Sequence, residues 1–316
     1  MANVWRKDRL YNVIRTYIRP IIRSGFGKIE IKGLENIPHD GMIMLAPNHC
    51  VGLMDPLMIL LFKKNRIAFG SRSDIFIPGA ITKILTFLRV LPIARERNGA
   101  SEVAKNLQTY DIIVELLQND SWFTLYAEGT HNPERGLLPI KKGIFRIAKM
   151  AYDKTGKKVY VVPVSVDYEY FFTQAGRVHM TVQQPMEIGS FFEERKDMQV
   201  EAKTYRELCD WLSTSIKSGL GYDWQADREE ESPLCKTLKI IGGIIGLPLF
   251  IACAIASLPI WGVSMLIMHN MEDKAWTHTV YAVLKFFFPI FIPFEWVFSR
   301  MKNFYVRILG GYSRLR

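Results

Sequence analysis

The stretch that decides the fold is Met42-Ile43-Met44-Leu45-Ala46, which runs through Pro47 into Asn48-His49-Cys50-Val51-Gly52-Leu53-Met54-Asp55-Pro56. A short apolar run that ends in a polar, glycine-containing loop reads as a buried strand delivering chemistry-bearing side chains at its end. The pattern recurs along the chain. Arg66–Ser71, Val90–Ala94, Trp122–Ala127, Val159–Ser165 and Val178–Gln183 also read as strands. Between and after them, Pro56–Lys64, Asp74–Leu88, Ser101–Gln118, Gly143–Lys154 and Val200–Lys217 carry helical spacing. This alternation predicts a layered α/β domain over 29–220 with a mixed, largely parallel sheet. Ligands on such sheets bind where strands end and helices begin, which points to the loops after 46, 94 and 127.

The first of these loops pairs a base with a carboxylate. A histidine of near-neutral pKa can draw a proton from a hydroxyl, and an aspartate on its other nitrogen fixes the tautomer and steadies the imidazolium. Five residues separate His49 from Asp55, so the two meet only if the segment turns, and Gly52 permits a turn. Asp55-Pro56 also fits a plain helix start, with Asp as N-cap and Pro at the first helical position. The second loop, Glu128-Gly129-Thr130-His131-Asn132, precedes Arg135, Lys141, Lys142 and Arg146. Loop amides, a hydroxyl and nearby cations suit an anionic ligand such as a phosphate. Arg95 and Arg97, just past Val90–Ala94, are further cations at a strand end.

Outside this domain, charge and apolar residues are segregated. The chain has 316 residues, a net charge of +10 and 49% hydrophobic residues, with mean hydropathy just above zero. Residues 1–33 hold eight Lys/Arg against two acids, and 299–316 hold five Lys/Arg and no acid. The body between is close to neutral, which argues against nucleic-acid binding and for contacts with a membrane surface. Residues 1–28 are expected to form a basic amphipathic helix, lying on an anionic membrane or packed on the domain. After a linker at 221–239, Ile240–Met268 carries no charge and is long enough to cross a hydrocarbon core of about 30 Å. Thr277–Phe298 is apolar but holds Lys285, Glu295 and two prolines, so it spans or lies in the interface. Together 240–300 are expected to form a membrane hairpin, followed by a basic tail at 301–316. Basic flanks on its outer sides place the residues before 235 in the cytosol. No signal peptide is expected. Cys50, Cys209, Cys235 and Cys253 lack metal-ligand spacing, so reduced thiols and no metal are expected. Cys50 reads as a small apolar neighbour of His49 and not as a nucleophile.

Four blocks in order complete the reading: Asn48-His49 with Asp55-Pro56-Leu57, then Leu91-Pro92-Ile93-Ala94-Arg95, then Ala127-Glu128-Gly129-Thr130, then Val162-Pro163-Val164. Over about 29–190 the chain resembles the membrane-bound glycerolipid acyltransferase family. The resemblance implies transfer of a fatty acyl group from acyl-CoA or acyl-ACP to 1-acylglycerol 3-phosphate in phospholipid biosynthesis, with no further cofactor. It implies His49 as general base, Asp55 as its partner, and Arg95 with Glu128, Gly129, Thr130 and His131 around the acceptor's phosphate. The family usually has four residues between His and Asp; five occur in a subset of glycerol-3-phosphate acyltransferases that this sequence is similar to. His131 stands where the family usually carries Arg, which turns attention to Arg135, Lys141 and Lys142 as phosphate contacts. Glycerol-3-phosphate acylation and lysophospholipid remodelling are the alternative activities, and a lipid-binding membrane scaffold is the non-enzymatic one.

Overall fold

The computed structural model describes residues 9–62, 66–94, 100–132, 134, 136–171, 175–195, 201–224, 233–273 and 276–308. Among them, eight strands form one sheet in the order β1-β7-β6-β2-β5-β3-β4, with β8 paired to β6. The strands are β1 (Lys28–Lys32), β2 (Met42–Pro47), β3 (Ile67–Arg72), β4 (Val90–Ile93), β5 (Trp122–Thr124), β6 (Val159–Tyr168), β7 (Arg177–Val182) and β8 (Met186–Glu187). Pairing is parallel except where β6 meets β7 and β8. The expected mixed, largely parallel α/β architecture is therefore present. Two strands escape the sequence pattern: β8 is only two residues long, and β1 is an edge strand whose Lys-Ile-Glu-Ile-Lys alternation leaves both ends exposed.

Each face of the sheet builds its own core, because successive side chains along a strand point to opposite sides. Met42, Met44 and Ala46 of β2 pack with helices α4 (Ala100–Gln118), α5 (Gly143–Thr155) and α7 (Glu201–Ser218), and the short α6 (Ile188–Glu193) joins them. Ile43 and Leu45 face the other way, toward α1 (Arg9–Ser24) and α2 (Met54–Ile59). Full burial of a side chain such as Leu45 contributes roughly 1.5–3 kcal/mol. The expected helix at Asp74–Leu88 is divided into a short 3-10 turn (Ser73–Ile75) and α3 (Ala80–Phe87). Pro78 and Gly79, the latter at φ +111°, interrupt the helical backbone between them.

The basic N-terminal helix packs on the domain by one face while leaving Leu10 and Val13 exposed on the other. Arg15 and Arg19 are not directed at a surface. Arg15 Nη2 donates to the Phe62 carbonyl at 2.5 Å, and Arg19 Nη2 to Phe62 and Leu61 at 3.0 and 3.3 Å. These cations satisfy carbonyls at the C-terminal end of α2, where the helix dipole also favours positive charge.

The apolar run is α8 (Pro233–His269), followed by α9 (Thr277–Phe287) and α10 (Ile292–Ile308). The second apolar stretch bends by 110° between α9 and α10. The bend falls at Phe288-Pro289, where proline cannot continue the ladder. Just past α8, Asp273 meets His131 at 2.6 Å. Arg15→Ala is expected to lower stability by about 1–3 kcal/mol by leaving buried carbonyls unpaired, read as a lower denaturation midpoint in detergent.

Candidate active site

β2 delivers the loop that carries His49, and the domain grips that loop from three sides. Asn48 copies a ladder pairing with β6: its Oδ1 accepts from Val166 N at 2.7 Å and its Nδ2 donates to Val166 O at 3.0 Å. Glu128 Oε1 accepts from His49 N at 2.7 Å, and Asn132 N donates to His49 O at 2.7 Å. Both backbone polar groups of His49 are thus held by the loop after β5, so the ring is placed by two neighbouring strands at once.

The turn needed to bring His49 to Asp55 is present, with Gly52 at φ +47°, the left-handed region that favours glycine. His49 Nδ1 lies 2.7 Å from Asp55 Oδ2. The same oxygen accepts from Cys50 N and Val51 N at 2.7 and 2.8 Å, and Oδ1 accepts from the Tyr168 hydroxyl at 2.7 Å. Four donors converge on one carboxylate that is 1% exposed. The imidazole donates to it through Nδ1, which leaves Nε2 for a ligand. Asp55 does not act as the helix cap: α2 starts at Met54, its N-cap is Leu53, and no side chain caps it.

His49 forms part of the wall of a cavity of about 400 Å³, a volume ordinary for ligand sites. The walls are mainly apolar, from α1 (Ile14, Ile18), α2 (Leu57), β4 (Ile93) and α9 (Ala282, Phe286). Tyr126 packs against the His49 ring at 4.3 Å between centroids, and the His131 ring approaches edge-on at 5.8 Å. Burial pushes the Tyr126 hydroxyl well above its usual range, with Asp55 adding to the effect. The Cys50 thiol is likewise pushed up, mainly by burial and further by Asp55 and Glu128, so a thiolate is disfavoured beside His49. Cys50 is also occupied as an acceptor from Asn48 Nδ2 at 3.1 Å.

The residues read as phosphate contacts divide into groups. Gly129, Thr130 and His131 line the cavity together with His49. The Lys141 side chain folds over Gly129, with its Nζ 3.1 Å from where a Cβ would stand at that glycine. Lys142 is exposed at the start of α5 and is not in the cavity wall. Glu128 is buried, with one oxygen on His49 N and the other accepting from Leu138 N at 2.7 Å, so its carboxylate braces two loops and has no room for an anion. Arg95 and Arg135 lie outside the described residues. Sequence reasoning missed Tyr168, Asn48 and Asp273, which act through partners more than a hundred residues away, and Arg72, a cation in the cavity wall. Only the position of Arg72 at a strand end offered a signal.

Two outcomes follow from this geometry. Tyr168→Phe leaves Asp55 Oδ1 without its donor and should cost about 1–3 kcal/mol, measured by chemical denaturation. Cys50→Ala should keep its fold and its activity, measured by the same unfolding curve and by substrate turnover.

Residues 28–167 match the family model Acyltransferase. Among curated proteins, the chain is similar to mouse (Mus musculus) 1-acyl-sn-glycerol-3-phosphate acyltransferase alpha, 26% identical over 172 residues covering 50% of this chain and 55% of that protein. It is also similar to the chloroplastic 1-acyl-sn-glycerol-3-phosphate acyltransferase BAT2 of Brassica napus, 30% identical over 142 residues, 45% of this chain and 38% of that protein. The chain spans about half the length of the curated relatives it matches, or less. A solved structure, the 1-acyl-sn-glycerophosphate acyltransferase PlsC of Thermotoga maritima, aligns at 20% identity and a TM-score of 0.43, covering 72% of this chain and 86% of that one. The four ordered sequence blocks and the family match agree, and residues 28–167 carry an acyltransferase domain.

Proposed function

We propose that this protein transfers a fatty acyl group from acyl-CoA or acyl-ACP to the free hydroxyl of 1-acylglycerol 3-phosphate, at the cytoplasmic face of a membrane. The observation that carries the reading is the 2.7 Å contact between His49 and Asp55 in the wall of an apolar cavity. The acceptor hydroxyl loses its proton to His49 Nε2 as its oxygen attacks the thioester carbonyl carbon. The new C–O bond forms, the C–S bond breaks, and the departing thiolate takes the proton from the imidazolium. Asp55 stabilises the imidazolium between the two proton transfers. No covalent enzyme intermediate is needed, consistent with the raised pKa of Cys50. The aliphatic walls from α1, α2 and α9 suit an acyl chain, and Lys141, Thr130 and the Gly129 backbone suit the acceptor's phosphate.

The test is a panel of 1-acylglycerol 3-phosphate, glycerol 3-phosphate and neutral lysophospholipids, each offered with acyl-CoA and with acyl-ACP. The lysophosphatidate reaction should dominate. His49→Ala should lose about 10²–10⁴ of turnover while still folding cooperatively, with an unfolding midpoint lowered because Asp55 loses a donor, and Asp55→Asn should lose turnover in the same way. Wild-type turnover in a folded His49→Ala would remove the base assignment. Lys141→Ala should raise KM for the phosphorylated acceptor more than it lowers kcat.

A further inference from the structure

The apolar helix α8 is held against the catalytic domain near both of its ends. Near its start, Tyr305 of α10 donates to the Gly243 carbonyl at 2.5 Å, and the methyl of Met301 stands 2.9 Å from where a Cβ would sit on Gly246. That part of α10 is seated on the domain in turn. Ser299 Oγ donates to Ser24 O at 2.8 Å, and Asn303 Cβ lies 2.7 Å from the Cβ position of Gly27. Just past the other end of α8, Asp273 meets His131 at the catalytic loop. Between these ties α8 extends about 1.5 Å per residue, the length of a hydrocarbon core of about 30 Å or more. A helix crossing the bilayer upright, with the domain outside, would carry one end a full membrane thickness away from that domain.

The faces of α8 are also inverted relative to a helix in water. Its packed stripe, at helical spacing, includes Cys253, Ser257, Ile260, Ser264 and Met268. Its outer face presents Leu238, Ile244, Ile245, Leu249, Ile255 and Leu266, each between 56 and 75% exposed. An exposed side more apolar than the packed side fits an apolar medium, and the aliphatic residues are too numerous for an ordinary solvated surface. The same apolar character continues on the elbow after α9, at Phe287, Phe288 and Ile290, beside the α9 residues that wall the cavity.

We propose that α8 lies along one leaflet and does not cross the bilayer, so that residues 270–273 stay on the catalytic side and the cavity opens toward the same lipid surface. The cations Lys239 and Arg300 near its start fit anionic headgroups at that surface. The identity of the covering medium rests on the lipid substrate proposed above; the placement of the two ends does not.

The test reads topology without reading acyl transfer, so its failure is distinct from failure of the proposed activity. In the full chain, with Cys209→Ser and Cys235→Ser, single cysteines are introduced as Asp153→Cys on the domain, Asp223→Cys before α8, and Asn270→Cys or Glu272→Cys after it. The protein is added to preformed phosphatidylcholine/phosphatidylglycerol vesicles, floated, and treated with a membrane-impermeant maleimide before and after lysis. All four positions should label fully before lysis, with no gain on lysis. Protection of Asn270→Cys and Glu272→Cys until lysis would show a crossing helix and overturn the proposal. A chain that fails to float and instead self-associates without detergent would overturn it too, because a second copy would then cover the apolar face.

Discussion

The site depends on a single carboxylate that is fully engaged. Asp55 is withdrawn from water, and it stays in place because an imidazole, two backbone amides and a phenol all donate to it. Each contact restricts a different part of the molecule: the His49 ring, the loop at 50–51, and the C-terminal end of β6. Removing any one donor leaves a buried acceptor poorly paired, which is costly in a low-dielectric interior. The orientation of the His49 ring is therefore a property of the whole sheet and not of a local turn.

The loops that carry His49 and Glu128 are also tied to each other. Glu128 and Asn132, from the loop after β5, hold the N–H and the C=O of His49, while Gly129, Thr130 and His131 from that loop line the cavity. The loop proposed to bind the phosphate thus also holds the backbone of His49. On the other side, Arg15 and Arg19 join α1 to the end of α2, the helix that bears Asp55. The wall proposed to touch the acyl chain and the element carrying the carboxylate are therefore joined directly.

The C-terminal helices extend this connection outward. His131 makes an edge-on ring contact with His49 and a 2.6 Å contact with Asp273, so the segment after the apolar helix reaches within one side chain of His49. Such a contact links the apolar C-terminal helices to the site geometrically.

Much was legible in the sequence, for reasons that are local. The strands behind both catalytic loops were readable because apolar runs and helical spacing are written along the chain, and Gly52 announced the turn that His49 and Asp55 require. The charge segregation and the uncharged run at 240–268 were equally direct. What needed the tertiary structure were partnerships between distant segments. Nothing near Tyr168 marks it as a donor to Asp55, and Glu128 reads as part of an anion loop until its two oxygens are found on His49 N and Leu138 N. Arg15 and Arg19 look like headgroup contacts until α2 ends beside them. The path of α8 belongs to the same class: hydropathy sets how apolar a helix is and how long, while its direction is decided by what its two ends touch.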